Sequence, residues 1–294
     1  MSFLLKIIAF GLSLLSPASA QKLGAGLGLI WFHVIRIRRK TVLENLEMAL
    51  PHRRNEHLRI ARDAYRHFGM TAVEFLRMSR MSKEDIAQEV EVSGMEHFDA
   101  AAARNRGVIV VTAHLGNFDL LAASQAARGI PLAVVSRNLH DSGVNQFWMK
   151  TRQKSGLQIF EHKGQARKIL RHLRQGGVVA LTADQRTRPE RGGVLLPFMG
   201  HPAMTPTAPA SLAAASGSPI VPVRIERQAD GRHFAVVESA IWPDELAAPD
   251  GIVNVTNKLN GIIGDWAAEC PEQYMWIHRR FVINLNYPDL SQIQ

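Results

Sequence analysis

From residue 107 onward, short strand-like runs alternate with helical segments, and that alternation leaves the chain few architectures to choose from. Val108 to Val111 are all β-branched and read as a buried strand within 107–113. Residues 120–128 read as helix, 132–136 as strand, 144–155 as helix and 178–183 as strand. Between the last two lies an amphipathic helix over 163–175. Its Ala166, Ile169, Leu170 and Leu173 share a face, and Gly176-Gly177 ends it. Residues 219–225 and 234–238 read as two later strands. Parallel neighbours need long crossovers, usually helical, so the pattern predicts an α/β fold with a largely parallel central sheet flanked by helices. A 46% hydrophobic composition over 294 residues supports a sizeable core. With no repeat, low-complexity tract or linker, residues 41–294 read as one domain. It opens with two helices: one carries Val42, Leu43, Leu46 and Leu50 and stops at Pro51, and the second runs over 60–81.

Residues 1–40 have a different character. Leu4 to Leu15 is apolar apart from Lys6 and Ser13, and Leu23 to Ile35 is a second apolar stretch leading to Arg36, Arg38, Arg39 and Lys40. Neither stretch reaches the roughly 20 residues that span a bilayer. The segment reads as an N-terminal membrane-anchoring helical element: an interrupted span, a shallow hairpin or an interfacial anchor. Its basic flank favours a cytoplasmic position for residues 41–294. A rival reading is a secretory signal: Lys6, the apolar Ile7–Leu15 and Ala18-Ser19-Ala20 suit cleavage before Gln21. Gly24 and Gly28 form a GxxxG, a weak packing signal in a Gly-rich segment.

Thirty-five Lys and Arg against 26 Asp and Glu give a net charge of +9. Such a balance suits phosphorylated substrates or an anionic membrane surface. Nucleic acid is set aside, because no recognition motif accompanies the charge. The single cysteine, Cys270, excludes an internal disulfide, and no cysteine cluster suggests zinc. There is no GxSxG, Walker loop, HExxH or GxGxxG.

Open parallel sheets bind ligands outside the carboxyl ends of their strands. His114 comes after the first strand, Arg137 after the second, and Asp184 ends the strand over 178–183. A base, a cation and an acid therefore share one rim. Arg186, Arg188 and Arg191 extend it, with Arg152 and Lys154 on the intervening helix. Arg137 and Arg186 read as ligand contacts, whereas Lys163, Arg167, Arg171 and Arg174 read as a solvated face. His114 and Asp119 stand five positions apart, which on a continuous helix would turn their side chains roughly 140° from each other. They meet only if 114–117 form a turn, and Gly116 and Asn117 suit one. Asp119 would then hold one ring nitrogen while the other takes a proton. The plainer alternative is a structural histidine and a helix-capping aspartate. A base without a placed nucleophile fits direct attack by a substrate hydroxyl on an activated acyl group.

The stretch VIVVTAHLGNFDLL resembles the histidine-acid motif of the bacterial lipid A biosynthesis acyltransferases, the late lauroyl and myristoyl class within the wider lysophospholipid acyltransferase superfamily. RRKTVLENLEMALP, ADQR, GGVLLPFMGHPAMTPTAPASLAAASGSPIVPV and PEQYMWIHRRF resemble further blocks of that family, in order and over nearly the whole chain. The resemblance implies a membrane-bound O-acyltransferase on the cytoplasmic face of the inner membrane. His114 would be its general base and Asp119 the partner of that base; Arg137, Asp184 and Arg186 would line or support the site. Acyl carrier protein or coenzyme A thioester would be the co-substrate, a membrane lipid the acceptor, with no metal or prosthetic group. The lipid A enzymes usually carry Glu where this chain has Asp119, whereas the related glycerolipid enzymes carry Asp. A lipid A precursor is the expected acceptor, with ornithine-lipid or glycerolipid acylation as the alternative, and a non-catalytic lipid or carrier-protein binder as the reading from another class.

Overall fold

The protein is described from a computed structural model, which covers residues 2–136, 141–161 and 164–281. Helices α1 (Ser2–Ser13) and α2 (Pro17–Ile30) lead into a π-helical turn at Trp31–Ile35, then α3 (Arg39–Ala49), α4 (His57–Met78) and α5 (Lys83–Gln88). Strand β1 (Val90–Ser93) and helix α6 (Met95–Ala102) precede the alternating region: β2 (Val108–Thr112), α7 (Phe118–Ala127), β3 (Leu132–Ser136), α8 (Ser142–Lys154), β4 (Gln158–Glu161), α9 (Ala166–Arg174) and β5 (Val178–Thr182). A hairpin, β6 (Gly193–Phe198) and β7 (His201–Pro206), leads to α10 (Ala208–Ser216), β8 (Ile220–Arg227), β9 (His233–Val237) and α11 (Gly251–Glu269).

The main sheet has the order β1-β9-β8-β2-β5-β3-β4. The five strands from β8 to β4 are mutually parallel. Strand β9 is antiparallel to β8 and pairs in parallel with β1, so those two run against the rest. The mostly parallel sheet and its flanking helices match the strand–helix alternation. The elements that the alternation does not reveal are short or atypical. Strand β4 is the four-residue edge segment QIFE. The β6–β7 hairpin contains Pro197, Pro202 and Pro206, which a two-stranded ribbon away from the main sheet tolerates. Its turn places Met199 and Gly200 at φ 50° and 79°, the pair of positive values that matches strand twist in a tight hairpin.

Alternation along β2 divides the core. Ile109 and Val111 pack with Ile169 and Leu173 of α9, Ala210 and Ala213 of α10, and Leu259 and Ile263 of α11. Val108 points the other way, into a cluster with Ala101 of α6 and Leu121 and Ala123 of α7.

The glycines of α2 determine how the amino terminus sits. A Cβ on Gly24 would lie 2.7 Å from the Gly69 carbonyl oxygen, and one on Gly28 2.1 Å from that of Tyr65. From the other side, a Cβ on Gly69 of α4 would meet the Gly24 oxygen at 2.1 Å. The GxxxG therefore brings α2 into backbone contact with α4 of the same chain. The opposite surface of the segment stays apolar and open: Phe3, Leu14 and Val34 are 75%, 72% and 73% exposed, and Ile7, Phe10, Leu27, Ile30, Ile35 and Ile37 are also exposed. Among the described residues, no helix is long and apolar enough to cross a membrane. Replacing Gly28 by Ala is expected to push α2 off α4 and lower stability by about 1–3 kcal/mol, the usual cost of overpacking. Thermal unfolding beside a Gly26→Ala control, where an added Cβ meets nothing, measures it.

Candidate active site

Strands β2 and β5 pair in register up to Thr112 and Thr182, and the Ala183 amide continues the ladder to the Thr112 carbonyl at 3.1 Å. His114 and Asp184 each lie two residues beyond those level ends, so the two side chains arrive together. His114 Nδ1 lies 2.8 Å from Asp184 Oδ1, and the His114 backbone amide donates to Asp184 Oδ2 at 3.1 Å. A carboxylate only accepts, so Nδ1 carries the hydrogen and Nε2 offers its lone pair. The turn that aims the ring uses Gly116 at φ 57°, where a Cβ would stand 2.1 Å from the Ile225 oxygen. Asn117 then caps α7, its Oδ1 accepting from the Leu120 amide at 3.1 Å. A carboxyl-terminal segment braces the turn: Gly116 N donates to Gln273 O at 3.1 Å and Met275 N to His114 O at 2.9 Å.

Electrostatics reinforces the pairing. Burial alone penalises the His114 imidazolium, but the charge and hydrogen bond of Asp184 outweigh it and raise its pKa above the ordinary 6.5. Asp184, fully buried, is held below its ordinary value because the same contacts outweigh its own desolvation. Behind it lies Tyr274, whose burial beside the Asp184 charge pushes the phenol well above its usual range. The Arg280 guanidinium, 2% exposed, donates to Met204 O, Thr205 Oγ1 and Asn260 Oδ1 at 3.1, 3.0 and 2.8 Å.

Asp119 does not hold the His114 ring. It is the second residue of α7, and its Oδ1 receives Arg152 Nε from α8 at 2.7 Å, while Arg152 Nη1 donates to Ser136 Oγ at 2.9 Å. The reason is the cap at Asn117: it starts the helix before Asp119, directing that side chain to α8 and leaving Nδ1 to Asp184. Asp119 still adds negative potential at His114, and Arg152 opposes it. Arg137 lies outside the described residues. Arg186, Arg188 and Arg191 are exposed on the loop after β5.

Two supporting residues are not evident from sequence. Arg152 stands out there only as part of a basic rim. Glu74, between Val73 and Phe75 on a buried helix face, signals itself as a charge among apolar neighbours. It receives Asn117 Nδ2 at 2.8 Å, Arg227 Nη2 at 2.8 Å and Gln21 Nε2 at 3.0 Å, with His233 Nε2 at 3.3 Å. Burial opposes its ionisation, but His233 and Arg227 outweigh that and hold the carboxyl far below its ordinary value. One carboxylate thus joins α2, α4, β8, β9 and the cap of α7.

Two narrow apolar cavities share Phe118 as a wall, and its ring stands edge-on to His114 with centroids 4.8 Å apart. One runs from His114 past Tyr65, His67 and Trp31 toward the amino-terminal helices. The other lies under the sheet between Val110, Leu121, Ile130 and Val178. Their free volumes, about 30 and 50 Å³, are far below that of a bound lipid chain. His67 in the first cavity is no second base, since burial lowers its pKa to about 3. Among the described residues, no group of three His, Cys, Asp or Glu side chains is placed to hold a metal ion.

A histidine paired with a buried carboxylate at the strand ends, beside an apolar cavity, is the candidate site this fold assembles. The chain belongs to the bacterial lipid A biosynthesis acyltransferase family, whose profile matches residues 1–282. It is 29% identical over 265 residues to the lipid A biosynthesis lauroyltransferase of Escherichia coli (strain K12), covering 88% of this chain and 84% of that protein. It is 25% identical over 264 residues to the palmitoleoyltransferase of the same strain, covering 88% and 83%. A phosphatidylinositol mannoside acyltransferase of Mycobacterium tuberculosis (strain CDC 1551 / Oshkosh) matches at 27% over 169 residues, 55% of this chain and 53% of that one. The protein is accordingly an O-acyltransferase that moves an acyl group to a lipid.

Arg152→Ala would strand the buried Asp119 charge, and chemical denaturation is expected to show a loss of about 3–5 kcal/mol. Asp184→Asn removes the charge that raises the His114 pKa and leaves burial, which lowers it. The acidic limb of the pH–rate profile is expected above pH 6.5 in the parent and at lower pH in the variant. A limb at the same pH in both would contradict this assignment.

Proposed function

We propose that this enzyme transfers a fatty acyl chain from a thioester of acyl carrier protein or coenzyme A to a hydroxyl of a lipid A precursor. The observation that carries the reading is the His114 ring, bonded through Nδ1 to Asp184 and lining an apolar cavity beside Phe118. His114 Nε2 takes the proton of the acceptor hydroxyl as its oxygen bonds to the thioester carbon. Collapse of the tetrahedral intermediate breaks the C–S bond, and the imidazolium returns its proton to the departing thiolate. The thioester is already activated, so no metal or prosthetic group enters the scheme. General-base help is worth about 10²- to 10⁴-fold. Asp184 orients the ring, and Asp119, held by Arg152, shapes the adjoining wall.

The apolar cavity under the sheet would take the transferred chain only by parting the side chains that line it. The cavity toward α1 and α2 opens on the side from which an acceptor would arrive from the bilayer. The exposed apolar face of α1 and α2, rimmed by Arg36, Arg38 and Lys40, supports docking on an anionic membrane surface. We place that docking at the cytoplasmic face of the inner membrane. Arg186, and Arg137 by its place after β3, would meet acceptor phosphates. A second reading, in which the acceptor is an ornithine lipid or a glycerolipid, has support for a membrane lipid other than lipid A in the phosphatidylinositol mannoside acyltransferase relative.

His114→Ala is expected to abolish transfer while leaving the unfolding midpoint and membrane association unchanged; near-normal turnover would remove the general base. Mass spectrometry of membrane lipids from cells with and without the gene assigns the acceptor. A chain missing from lipid A supports the first reading, and a missing acylated aminolipid or glycerolipid the second. Replacing Phe3, Ile7 and Phe10 together by Ser is expected to reduce co-sedimentation with anionic vesicles several-fold. Undiminished binding would assign the membrane contact to the basic surface alone.

A further inference from the structure

Positive charge is concentrated in two stretches of the chain. Residues 1–40 hold six Lys and Arg and no acid, and residues 163–191 hold eight against Asp184 and Glu190. Together these stretches exceed the net +9 of the whole chain, so the remainder is net acidic. The first belongs to the amino-terminal helices and their apolar face. The second forms α9 and the loop after β5. On α9, Ile169 and Leu173 pack into the core, while Arg167, Arg171 and Arg174, spaced i, i+4 and i+7, form an exposed stripe with Lys168 beside it. Arg188 and Arg191 are exposed on the loop. Among the described residues, none of these six cations is in an ion pair, whereas Arg54, Arg59 and Arg232 elsewhere on the surface each meet a carboxylate.

The two basic surfaces differ in apolar content. Among the described residues, every exposed large apolar side chain lies between Phe3 and Leu58, and α9 and the loop carry none. Insertion into a bilayer needs such side chains, so the second surface suits a partner from the aqueous phase. A helix face is convex, whereas a small anion such as a nucleotide is held in a concave pocket. A stripe of cations running roughly 10 Å along a helix matches a macromolecule that presents a row of carboxylates. Its place suits delivery to the site. Strands β4, β3 and β5 are parallel, so α9 runs back against them and begins at the carboxyl rim, where the chain leaves β5 for Asp184.

We propose that the exposed basic face of α9, with Arg188 and Arg191, docks an acidic carrier protein that brings the acyl thioester to the rim, while the amino-terminal helices hold the membrane. The inference rests on the carrier-protein donor of the proposed reaction and chooses it over a free coenzyme A thioester. Each basic stretch then serves one of the two phases from which the substrates come. Charge complementarity of this kind acts on encounter, so it enters the KM for the carrier and its salt dependence rather than the chemical step.

The test uses the full-length enzyme with one acyl chain presented on acyl carrier protein and on coenzyme A, and the acceptor identified by lipid analysis held saturating. Arg171→Glu combined with Arg174→Glu reverses two charges at exposed helical positions that Glu suits. With the carrier thioester, KM is expected to rise at least about tenfold and kcat to stay within about threefold, as steering by charge is lost. An unchanged KM for the carrier overturns the proposal. An equal rise in KM for the coenzyme A thioester marks the face as a site for small anions and also overturns it. So does an unchanged carrier KM beside weaker co-sedimentation with anionic vesicles, which assigns α9 to the membrane. In the parent, kcat/KM for the carrier thioester is expected to fall as salt rises from about 0.05 to 0.5 M. A salt-independent value overturns the proposal even if the double variant does not fold. A parent that uses the coenzyme A thioester and not the carrier removes the carrier donor together with its docking face, whereas a carrier-using parent beside an unaltered double variant rejects the face alone.

Discussion

Two parallel strands that end level, β2 and β5, are what the site depends on. Their register from Val108↔Val178 to Thr112↔Thr182 delivers His114 and Asp184 to one point. Packed on both faces of the sheet, the strands have little freedom to slip, because a shift of one residue would move every side chain to the opposite face and out of the cluster it fits. The Asp184 carboxylate then takes both the ring and the backbone amide of His114, so the position of the residue and the direction of its ring are set by one group. Desolvation would disfavour either charge alone, and the pair offsets it by charge and hydrogen bonding together.

Around that pair, the turn 114–117 is held from several sides by independent elements. Gly116 passes under the Ile225 carbonyl with no room for a side chain, the 273–275 segment bonds across it, and Asn117 is clasped by Glu74. Through Glu74 the same turn is tied to Gln21 on α2, a helix whose outer face is apolar and exposed. The amino-terminal segment is therefore joined to the turn that carries His114 by a short chain of hydrogen bonds, as well as packed on α4 through glycines.

Much of the fold was legible because local periodicity carries it. The β-branched run of β2, the strands β3, β5, β8 and β9, and the helices between them lie where alternation predicts. The edge segments β1 and β4 were not legible, since four residues carry too little pattern. The β6–β7 hairpin was hidden by its prolines. At the site, the residues of the rim were legible by position: His114, Asp184 and Arg186 stand at strand exits. The pairing was not. Spacing in sequence favoured Asp119 as partner, 5 residues from His114, over Asp184, 70 residues away.

By itself the sequence determined the α/β class, the family, the basic rim and the histidine that leads the site, because each rests on residue type, local period or ordered motifs along one chain. Only the tertiary structure decided which carboxylate meets the imidazole, where Arg152 and Glu74 act, and how the glycines of α2 are used. Those are contacts between elements distant in sequence. They depend on strand order and register, on where a helix is capped and on how closely two helices approach, none of which a linear spacing encodes.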